Sequence, residues 1–242
     1  MIYVDQLNKS YGDFVVVRDL HLEVKSQTAV GVLGPNGAGK TTTIECILGT
    51  VKPDCGKIRI MGLEPQKQRK QIFEQVGVQF QEASYQEKIK VYELCQQMES
   101  LYHNTMDYKE LLQQFGLRDK EESYVKELSG GQRQKLFVLL TLIPNPKIVF
   151  LDEVSTGLDV KSRREVWRIL RSLKKRGLTV LMSSHFMDEV EALCDYIYIL
   201  NNGTIVFNGT VKEAIEQSPY DNLESAYLWY VEQEVIEDEN FF

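Results

Sequence analysis

The chain has 242 residues, of which 43% are hydrophobic, and its formal net charge is −7. This length suits one large α/β domain, or such a domain with a small insert, and leaves ample apolar material for a core. The longest apolar stretch, near Leu136 to Ile143, is far below the ~20 residues that span a bilayer, and the N-terminus lacks a secretory signal pattern. We therefore expect a soluble chain that stays where it is made.

The charge is unevenly distributed along the chain. Nine acidic residues and no Lys or Arg follow Lys212, which takes the formal charge from +2 at that point to −7 overall. Phosphate backbones are bound by clustered Lys and Arg, so the acidic tail argues against non-specific nucleic-acid binding. We expect no basic stripe elsewhere and no nucleic-acid partner.

A glycine-rich turn between a strand and a helix organises the sequence. The continuous apolar run Ala29 to Leu33 predicts a strand buried on both faces. It leads into GPNGAGKT, residues 34–41, which fits G-x-x-x-x-G-K-[ST] in full. Ile44, Ile47, Leu48 and Val51 then follow at helical spacing and predict an amphipathic helix.

This turn has the chemistry of a polyphosphate site. Glycines let successive backbone N–H groups approach an anion without a Cβ in the way, and the helix start adds partial positive charge. Lys40 can reach the β- and γ-phosphates, and the Thr41 hydroxyl can coordinate Mg²⁺. The alternative, an ordinary tight turn, does not require Lys-Thr after three glycines. The sequence therefore predicts nucleotide binding.

The N-terminal segment has the pattern of antiparallel strands. Leu20, Leu22 and Val24 alternate with polar residues, as do Ile58 and Ile60, which predicts a sheet with one solvated face. Tyr11 lies between the early strands, where its ring could stack on a base held by the glycine turn. On spacing alone, simple packing is an equal alternative for this tyrosine.

The composition changes to Gln, Glu, Lys and Tyr from Glu82 to Leu128, and this stretch reads as a helical insert. Its first helix is predicted from the spacing of Val91, Leu94, Met98 and Leu101, and a second lies around Leu111 to Phe115.

A further helix, predicted to end at Pro144, starts after LSGGQ, residues 128–132, with Ser129 as its N-cap. Its buried face is predicted to comprise Leu136, Leu139, Leu140 and Ile143. Two glycines in a first turn cost helix stability, which makes sense where backbone N–H groups contact a phosphate. A flexible loop is the alternative.

Two more apolar strands end in polar side chains. The strand Ile148 to Leu151 runs into Asp152 and Glu153, an acid pair that is costly at a buried strand end unless a cation or water uses it. Asp152 is suited to hold Mg²⁺ and Glu153 to polarise the attacking water. An acid pair that caps a helix is the weaker alternative, because Ser155 and Asp159 are also available.

The strand Thr179 to Met182 ends in Ser183-Ser184-His185. Ligands of open α/β sheets lie beyond the carboxyl ends of the strands, so we expect Gly34, Asp152 and His185 to converge on one crevice. Taken alone, a histidine is more often structural.

These motifs, in this order, resemble those of the ATP-binding subunit of an ATP-binding-cassette (ABC) transporter over roughly residues 1–210. GPNGAGKT resembles the Walker A loop, LSGGQ the family signature, IVFLDE the Walker B strand, STGLD the D-loop and SSH the switch histidine. Gln81 matches the Q-loop glutamine, and Tyr11 the adenine-stacking aromatic residue. LSGGQ between the glycine turn and the acid pair is the most specific of these signals.

The resemblance implies an α/β P-loop NTPase core with an N-terminal antiparallel β subdomain and an inserted α-helical subdomain, about 82–146. Residues 211–242 would form a C-terminal helix and acidic tail. Two subunits would dimerise head to tail, with each ATP between the glycine loop of one and the signature of the other. The implied ATP contacts are Tyr11, Gly34, Pro35, Asn36, Gly37, Ala38, Gly39, Lys40, Thr41, Thr42, Ser129, Gly130, Gly131, Gln132 and Asp159. The implied Mg²⁺ ligands are Thr41, Gln81 and Asp152, and the implied catalytic residues are Glu153, His185 and Gln81.

The sequence departs from the family pattern at two positions. Val154 replaces the usual proline after the Walker B glutamate, and Leu140 stands where the signature helix commonly has arginine. Neither change removes a catalytic group. Loss of the proline is expected to loosen the turn that holds Glu153 and so to affect the rate.

The C-terminal segment LESAYLWY, residues 223–230, resembles the ending of exporter ATPases that pair with a separate ABC-2-type permease, and a plain docking helix is the alternative. The implied partners are a second ATP-binding subunit and integral-membrane permease subunits, which would place the chain peripherally on the cytoplasmic side of the membrane. Two other classes are less favoured. A non-transport ABC ATPase of DNA repair or translation usually carries coiled coils, tandem cassettes or basic arms, and a small-molecule P-loop kinase lacks LSGGQ.

Overall fold

The computed structural model describes residues 1–79 and 85–238, with side chains up to residue 232. It forms two compact units. The first unit comprises Met1–Arg69 and Leu181–Phe242, and the second comprises Lys70–Val180. Along the chain, α2 (Pro65–Phe73) and β7 (Thr179–Ser183) each run from one unit into the other. From β3 (Ala29–Leu33) onward, strands and helices are interspersed along the chain, as the α/β prediction requires.

A three-stranded antiparallel sheet begins the first unit. It is built from β1 (Ile2–Tyr11), β2 (Phe14–Val24) and β4 (Cys55–Ile60) in the order β2-β1-β4. Ile2 pairs with Val24 on one side and with Ile60 on the other, so the alternating apolar residues share one buried face. The predicted N-terminal antiparallel sheet is confirmed.

The glycine turn of the first unit follows a fully buried strand. β3 (Ala29–Leu33) pairs in parallel with β8 (Tyr196–Asn201), and β8 pairs antiparallel with β9 (Thr204–Gly209). After the turn, α1 (Lys40–Leu48) buries Ile44, Ile47 and Leu48, as predicted. The helix ends earlier than its apolar spacing suggested, because Gly49 takes a left-handed conformation (φ 72°) and leaves Val51 outside.

Three helices complete the first unit. They are α7 (Met187–Leu193), α8 (Val211–Glu216) and α9 (Leu223–Asp238). Leu223, Ala226 and Tyr230 of α9 join an apolar cluster with residues of β3, β8 and β9. The Tyr230 ring lies 4.6 Å from that of Phe207 between centroids, and its hydroxyl donates to the Ala214 carbonyl at 3.2 Å. The start of the LESAYLWY segment is therefore bound within its own chain.

The second unit contains a parallel strand pair and a group of helices. β5 (Val76–Gln79) pairs in parallel with β6 (Ile148–Asp152). The helices are α3 (Val91–Ser100), α4 (Tyr108–Gln114), α5 (Gly130–Leu142) and α6 (Val160–Lys175), with short 3₁₀ turns at Arg118–Lys120 and Val125–Glu127. A Cβ on Gly77 would lie 2.0 Å from the Thr141 carbonyl oxygen, so α5 lies directly against β5. The predicted domain boundaries near 82, 146 and 210 stay predictions.

The predicted buried face of α3 is only partly right. Val91 is buried, but the other fully buried residue is Cys95, while Leu94 and Met98 are half-buried and Leu101 is 67% exposed. The helix ends at Ser100, which places Leu101 at its C-cap. The spacing of apolar residues identified one face of α3, but it does not show whether other segments of the chain pack against that face.

The contact of α9 with the first unit can be tested by truncating its buried leucine. We expect Leu223→Ala to lower the free energy of unfolding by about 2–5 kcal/mol, because it leaves a cavity in a fully buried cluster. Leu228→Ala on the same helix removes a side chain that is 48% exposed and should change stability by less than about 0.5 kcal/mol. Urea unfolding of both variants measures the difference. Equal effects would show that α9 is not bound through this face.

Candidate active site

The glycine loop of the first unit rests closely on neighbouring backbone. A Cβ on Gly34 would lie 2.3 Å from the Leu200 carbonyl oxygen, and one on Gly39 would lie 2.6 Å from that of Val16. Gly37 has open space around it but adopts φ 82°, a conformation that L-residues rarely take. Close packing therefore explains why glycine is needed at positions 34 and 39, and the backbone conformation explains why it is needed at position 37.

The Lys40 side chain folds back onto the loop that precedes it. Its side chain is nearly buried, and Nζ donates to the carbonyls of Gly34 at 2.8 Å and Pro35 at 2.9 Å. Since a buried ammonium needs polar partners, these carbonyls both hold the charge in place and shape the loop around it. A cation is thus fixed at the start of α1.

The N-terminus of α1 has no side-chain cap of the kind found at α5 and α6. Its N-cap residue, Gly39, makes no side-chain hydrogen bond, and the first turn contains no acidic residue. By contrast, Ser129 caps α5 and Asp159 caps α6 through their side chains. Backbone N–H groups beside a cation fit a polyphosphate such as that of ATP.

The side chains available for Mg²⁺ also fit. Thr41 is exposed in the first turn of α1, and Asp152, 8% exposed, ends β6 in the second unit. Within residues 1–79 and 85–238, no three His, Cys, Asp or Glu side chains are grouped to hold a metal ion. Mg²⁺ is usually bound by one or two protein oxygens together with phosphates and water, and each of these two side chains, within its own unit, supplies an oxygen of that kind.

Two predicted contacts are not placed at the glycine loop. Tyr11, at the end of β1, is 51% exposed, and the Lys9 ammonium lies 5.0 Å from the centroid of its ring. Its predicted stacking on adenine stays a prediction. Gln81 lies outside the described residues.

The start of the signature helix α5 is closed by a reciprocal cap. Ser129 Oγ accepts from the Gln132 backbone N–H at 3.2 Å, and Gln132 Oε1 accepts from the Ser129 N–H at 3.0 Å. Ser129 is the N-cap, as predicted, but both side chains are occupied with each other. Any anion at this position would meet the backbone rather than these two side chains.

The two glycines of that turn have different surroundings. A Cβ on Gly130 would meet only the Gly157 carbonyl oxygen, at 3.9 Å, whereas one on Gly131 would lie 3.0 Å from Ser162 Oγ. Gly131 is therefore partly explained by the close approach of α5 to the start of α6. Gly130 has no such packing reason and is open to a ligand.

The acid pair after β6 sits in an unusual backbone turn. Glu153 is half-buried with φ 49°, and its carbonyl accepts from the Thr156 N–H at 3.0 Å. Non-glycine residues in this region store strain and are often found at functional sites. The strand end and the turn give the two carboxylates separate environments within the second unit.

Val154 takes a defined place in this turn. A proline there would push Glu153 toward an extended conformation, whereas valine permits its φ of 49°. Val154 is fully buried, and its carbonyl accepts from Gln134 Nε2 of α5 at 2.9 Å. The burial of Val154 and this hydrogen bond restrain the turn, although no proline is present. Leu140, the other departure from the family pattern, is buried in α5.

Asp159 is the N-cap of α6. Its Oδ1 accepts from the backbone N–H groups of Lys161 and Ser162, and its Oδ2 accepts from Ser162 Oγ at 2.6 Å. Hydrogen bonds from Ser162 hold the pKa of this carboxyl below its usual value. Ser155, the other candidate cap, instead accepts from Trp167 Nε1 at 3.1 Å. A nucleotide contact by Asp159 stays a prediction.

His185 follows β7 in the first unit and is exposed, with its ring 4.1 Å from that of Phe186 between centroids. The buried Ser184 beside it donates to Glu189 Oε2 at 2.5 Å. Sequence reasoning missed Glu189, and no local signal distinguishes it from Asp188, which directly precedes it and is exposed. Gly34 and His185 belong to one unit and Asp152 to the other, so their convergence stays a prediction.

The expectation that the chain has no basic stripe is wrong. The outer face of α6 bears exposed cations at helical spacing, namely Arg164, Arg168, Arg171 and Lys175. They line a broad open groove of about 610 Å³ together with Trp167 and Ser172. The overall acidic charge concealed this local cluster. The predicted absence of a nucleic-acid partner is not tested by it.

Comparison with known proteins places these motifs in one family. The ABC transporter family matches residues 17–156, more than half of the chain. The chain is 34% identical over 228 residues to the daunorubicin resistance ATP-binding protein DrrA3 of Streptomyces coeruleorubidus, covering 92% of the chain and 72% of that protein. It is 36% identical over 217 residues to the Nod factor export ATP-binding protein I of Rhizobium etli, covering 87% and 68%.

Solved structures agree with this grouping. A structure described as the ATP-binding subunit of an ABC transporter superposes with a TM-score of 0.87 at 25% identity, covering 95% of this chain and 99% of that one. A nucleotide-free ATP-binding cassette superposes with a TM-score of 0.78 at 21% identity, covering 90% and 96%, which supports the fold. No helix in the described ranges is long and apolar enough to cross a membrane. The chain therefore belongs to the ABC transporter family, as an ATP-binding and ATP-hydrolysing subunit.

Proposed function

We propose that this subunit hydrolyses Mg-ATP to drive export through a separate membrane permease. The observation that carries the proposal is the start of α1, where uncapped backbone N–H groups adjoin the buried Lys40 ammonium. Export is inferred from the relatives, whose names refer to daunorubicin resistance and Nod factor export. We assign neither of these substrates to this chain.

Binding of ATP begins at the glycine loop. The backbone N–H groups of residues 37–42 and the Lys40 ammonium contact the β- and γ-phosphates, which replace loop carbonyls as partners of Lys40. Thr41, Gln81 and Asp152 would hold Mg²⁺, and the ion would neutralise phosphate charge. The exposed ring of Tyr11 stacks on the adenine.

Hydrolysis uses the acid that follows Asp152. The Glu153 carboxylate accepts a hydrogen bond from the attacking water and orients it in line with the γ-phosphate. His185 stabilises the γ-phosphate as charge moves onto it. Both side chains are partly or fully accessible in their own units, as groups that meet a ligand must be.

The signature helix serves a second subunit. Gly130 is exposed, with open space where a Cβ would lie, at the start of a helix, where an anion is favoured. One solved cassette of this fold is described as dimeric. In our proposal, the glycine loop of one subunit and the Ser129 to Gln132 turn of the other enclose each ATP, with Asp159 at the same junction.

The permease docks on the second unit. Tyr85, Ile89, Leu94, Met98 and Leu101 contribute to an open groove of about 440 Å³ near the start of α3. Tyr85 and Ile89 line this groove, whereas the nearby Val91 is fully buried and cannot contact a partner. Docking here would hold the chain on the cytoplasmic face of the membrane.

The non-transport alternative is not favoured. The relatives quoted above are named for drug resistance and export, and they match across most of this chain. The kinase alternative is opposed by the family assignment.

Replacement of the water-orienting acid separates binding from hydrolysis. We expect Glu153→Gln to bind ATP normally but to hydrolyse it about 10²- to 10⁴-fold more slowly, since it keeps the volume of the side chain and loses only its charge. Phosphate release and nucleotide affinity measure the two effects, and Glu216→Gln, an exposed acid on α8, is the control. Turnover near the wild-type rate would exclude Glu153 as the catalytic base.

Mixed dimers test whether the signature acts on the neighbouring subunit. Lys40→Ala removes the phosphate cation of one subunit, and Gly130→Asp places a carboxylate against the ATP of its partner, so each homodimer should be inactive. A mixed dimer has one site with both defects and one with neither. Co-expression should therefore restore ATPase activity that neither variant shows alone.

Gly130→Ala is the control for the added side chain. A Cβ at this position meets nothing closer than 3.9 Å within the chain, so the alanine variant should keep its fold and, because it adds no charge, should lose less activity than Gly130→Asp. The readout is ATPase rate against the ratio of the two subunits. If mixed dimers are shown to form but ATPase activity does not recover, the hypothesis that one intact ATP site is sufficient for hydrolysis is contradicted.

The docking groove is tested by adding a charge to its exposed apolar rim. We expect Leu101→Asp, at a residue 67% exposed, to reduce transport at least about tenfold, since an unpaired carboxylate buried in an apolar contact costs several kcal/mol. ATP hydrolysis by the isolated subunit should be unchanged. Leu228→Asp, on α9, is the matched control. Loss of hydrolysis in isolated Leu101→Asp would show that the groove supports the fold instead.

A further inference from the structure

A buried carboxylate lies directly behind the loop that carries His185. Glu189, in α7, has no exposed surface, and Ser184 is 1% exposed. Glu189 Oε2 accepts from Ser184 Oγ at 2.5 Å, and the same hydroxyl oxygen accepts from the Phe186 backbone N–H at 3.1 Å. A chain of two hydrogen bonds thus runs from Glu189 across Ser184 to the residue after His185.

The opposite side of Phe186 is held by the helix. Its carbonyl accepts from the backbone N–H groups of Glu189 at 3.1 Å and Val190 at 3.2 Å. The peptide on each side of Phe186 is therefore fixed, one through the Ser184 hydroxyl and one through the first turn of α7. His185 lies between Ser184 and Phe186, so its backbone has little freedom to turn.

This arrangement is energetically costly for a purely structural role. A carboxylate loses several kcal/mol of hydration on burial, and apolar residues of similar volume usually replace buried charges at little or no cost. The oxygen–oxygen distance of 2.5 Å is at the short end for a hydroxyl that donates to a carboxylate, which marks a strong bond. The other acids of α7, Asp188 and Glu191, are exposed.

We propose that Glu189 is a positioning residue that holds His185, through Ser184, in the orientation that the γ-phosphate requires. The inference rests on the proposed role of His185 in hydrolysis. Without the carboxylate, the Ser184 hydroxyl keeps only a long contact to the Phe186 carbonyl, at 3.5 Å, and can rotate, so the Phe186 N–H loses a fixed partner. The imidazole then samples several orientations and stabilises the transferring phosphate less often.

The test is a double-mutant cycle in the purified full chain with Mg-ATP. We expect Glu189→Ala to lower kcat about tenfold to hundredfold with a smaller change in KM, the range that a misplaced catalytic group produces. Glu189→Gln should recover most of the rate, because its amide oxygen still accepts from Ser184. Glu191→Ala, which removes an exposed acid from the same helix, should match wild type within about twofold.

The decisive comparison is made in the absence of the imidazole. His185→Ala alone should be slow, and adding Glu189→Ala to it should slow it by no more than about twofold, because residues that act through one group are not additive. An equal loss in both backgrounds would overturn the inference and leave the proposed role of His185 standing. A normal rate for His185→Ala, alongside a slow Glu153→Gln, would overturn the inference and the role of His185 but not the ATPase function.

Folding is controlled with a smaller substitution. Ser184→Ala removes only the hydroxyl that joins Glu189 to Phe186, and urea unfolding reports whether each variant is intact. If Glu189→Ala does not fold, the same cycle with Ser184→Ala decides. The inference predicts that Ser184→Ala lowers kcat when His185 is present and has no further effect in the His185→Ala background. Additive losses of the two substitutions would refute it.

Discussion

Every α-helix begins with backbone N–H groups that have no partner within the helix, and the functional parts of this chain are organised around that constraint. At α5 the need is met by the exchange between Ser129 and Gln132, and at α6 by Asp159. At α1 no side chain meets it. The helix that follows the glycine loop is thereby left to bind an external anion, and the capped helices shape the surfaces around the signature and D-loop motifs.

The glycine loop can hold such an anion only because its own backbone is supported closely. The carbonyls of Val16 and Leu200 approach Gly39 and Gly34 to distances that a Cβ would prevent, and the Gly203 N–H donates to the Ala38 carbonyl at 3.3 Å. These contacts join the loop to both sheets of the first unit. A rigid loop keeps its N–H groups and the Lys40 ammonium in place before the nucleotide arrives, which reduces the cost of binding.

The catalytic turn shows how a departure from a family pattern can be compensated. Proline is the common means of stiffening a chain after a functional residue, and this sequence has valine instead. Burial of Val154 and the bond from Gln134 to its carbonyl supply a tertiary restraint in the same place. This restraint comes from the signature helix α5. Within the second unit, the signature turn, which we propose contacts one ATP, is therefore linked to Glu153, which we propose acts in the hydrolysis of another ATP.

The sequence by itself determined the strand and helix that flank the glycine loop, the N-terminal antiparallel sheet, the cap at Ser129 and the family, because these depend on local spacing and on motifs of adjacent residues. It did not determine which face of α3 is covered, the conformation of Glu153, the basic face of α6 or the bond between Ser184 and Glu189. Burial and side-chain partners depend on where other segments lie in space, and spacing along one segment carries no record of them. Only the tertiary structure decided, therefore, that Glu189 of α7 is buried behind His185, whereas the other acidic residues of that helix, Asp188 and Glu191, are exposed.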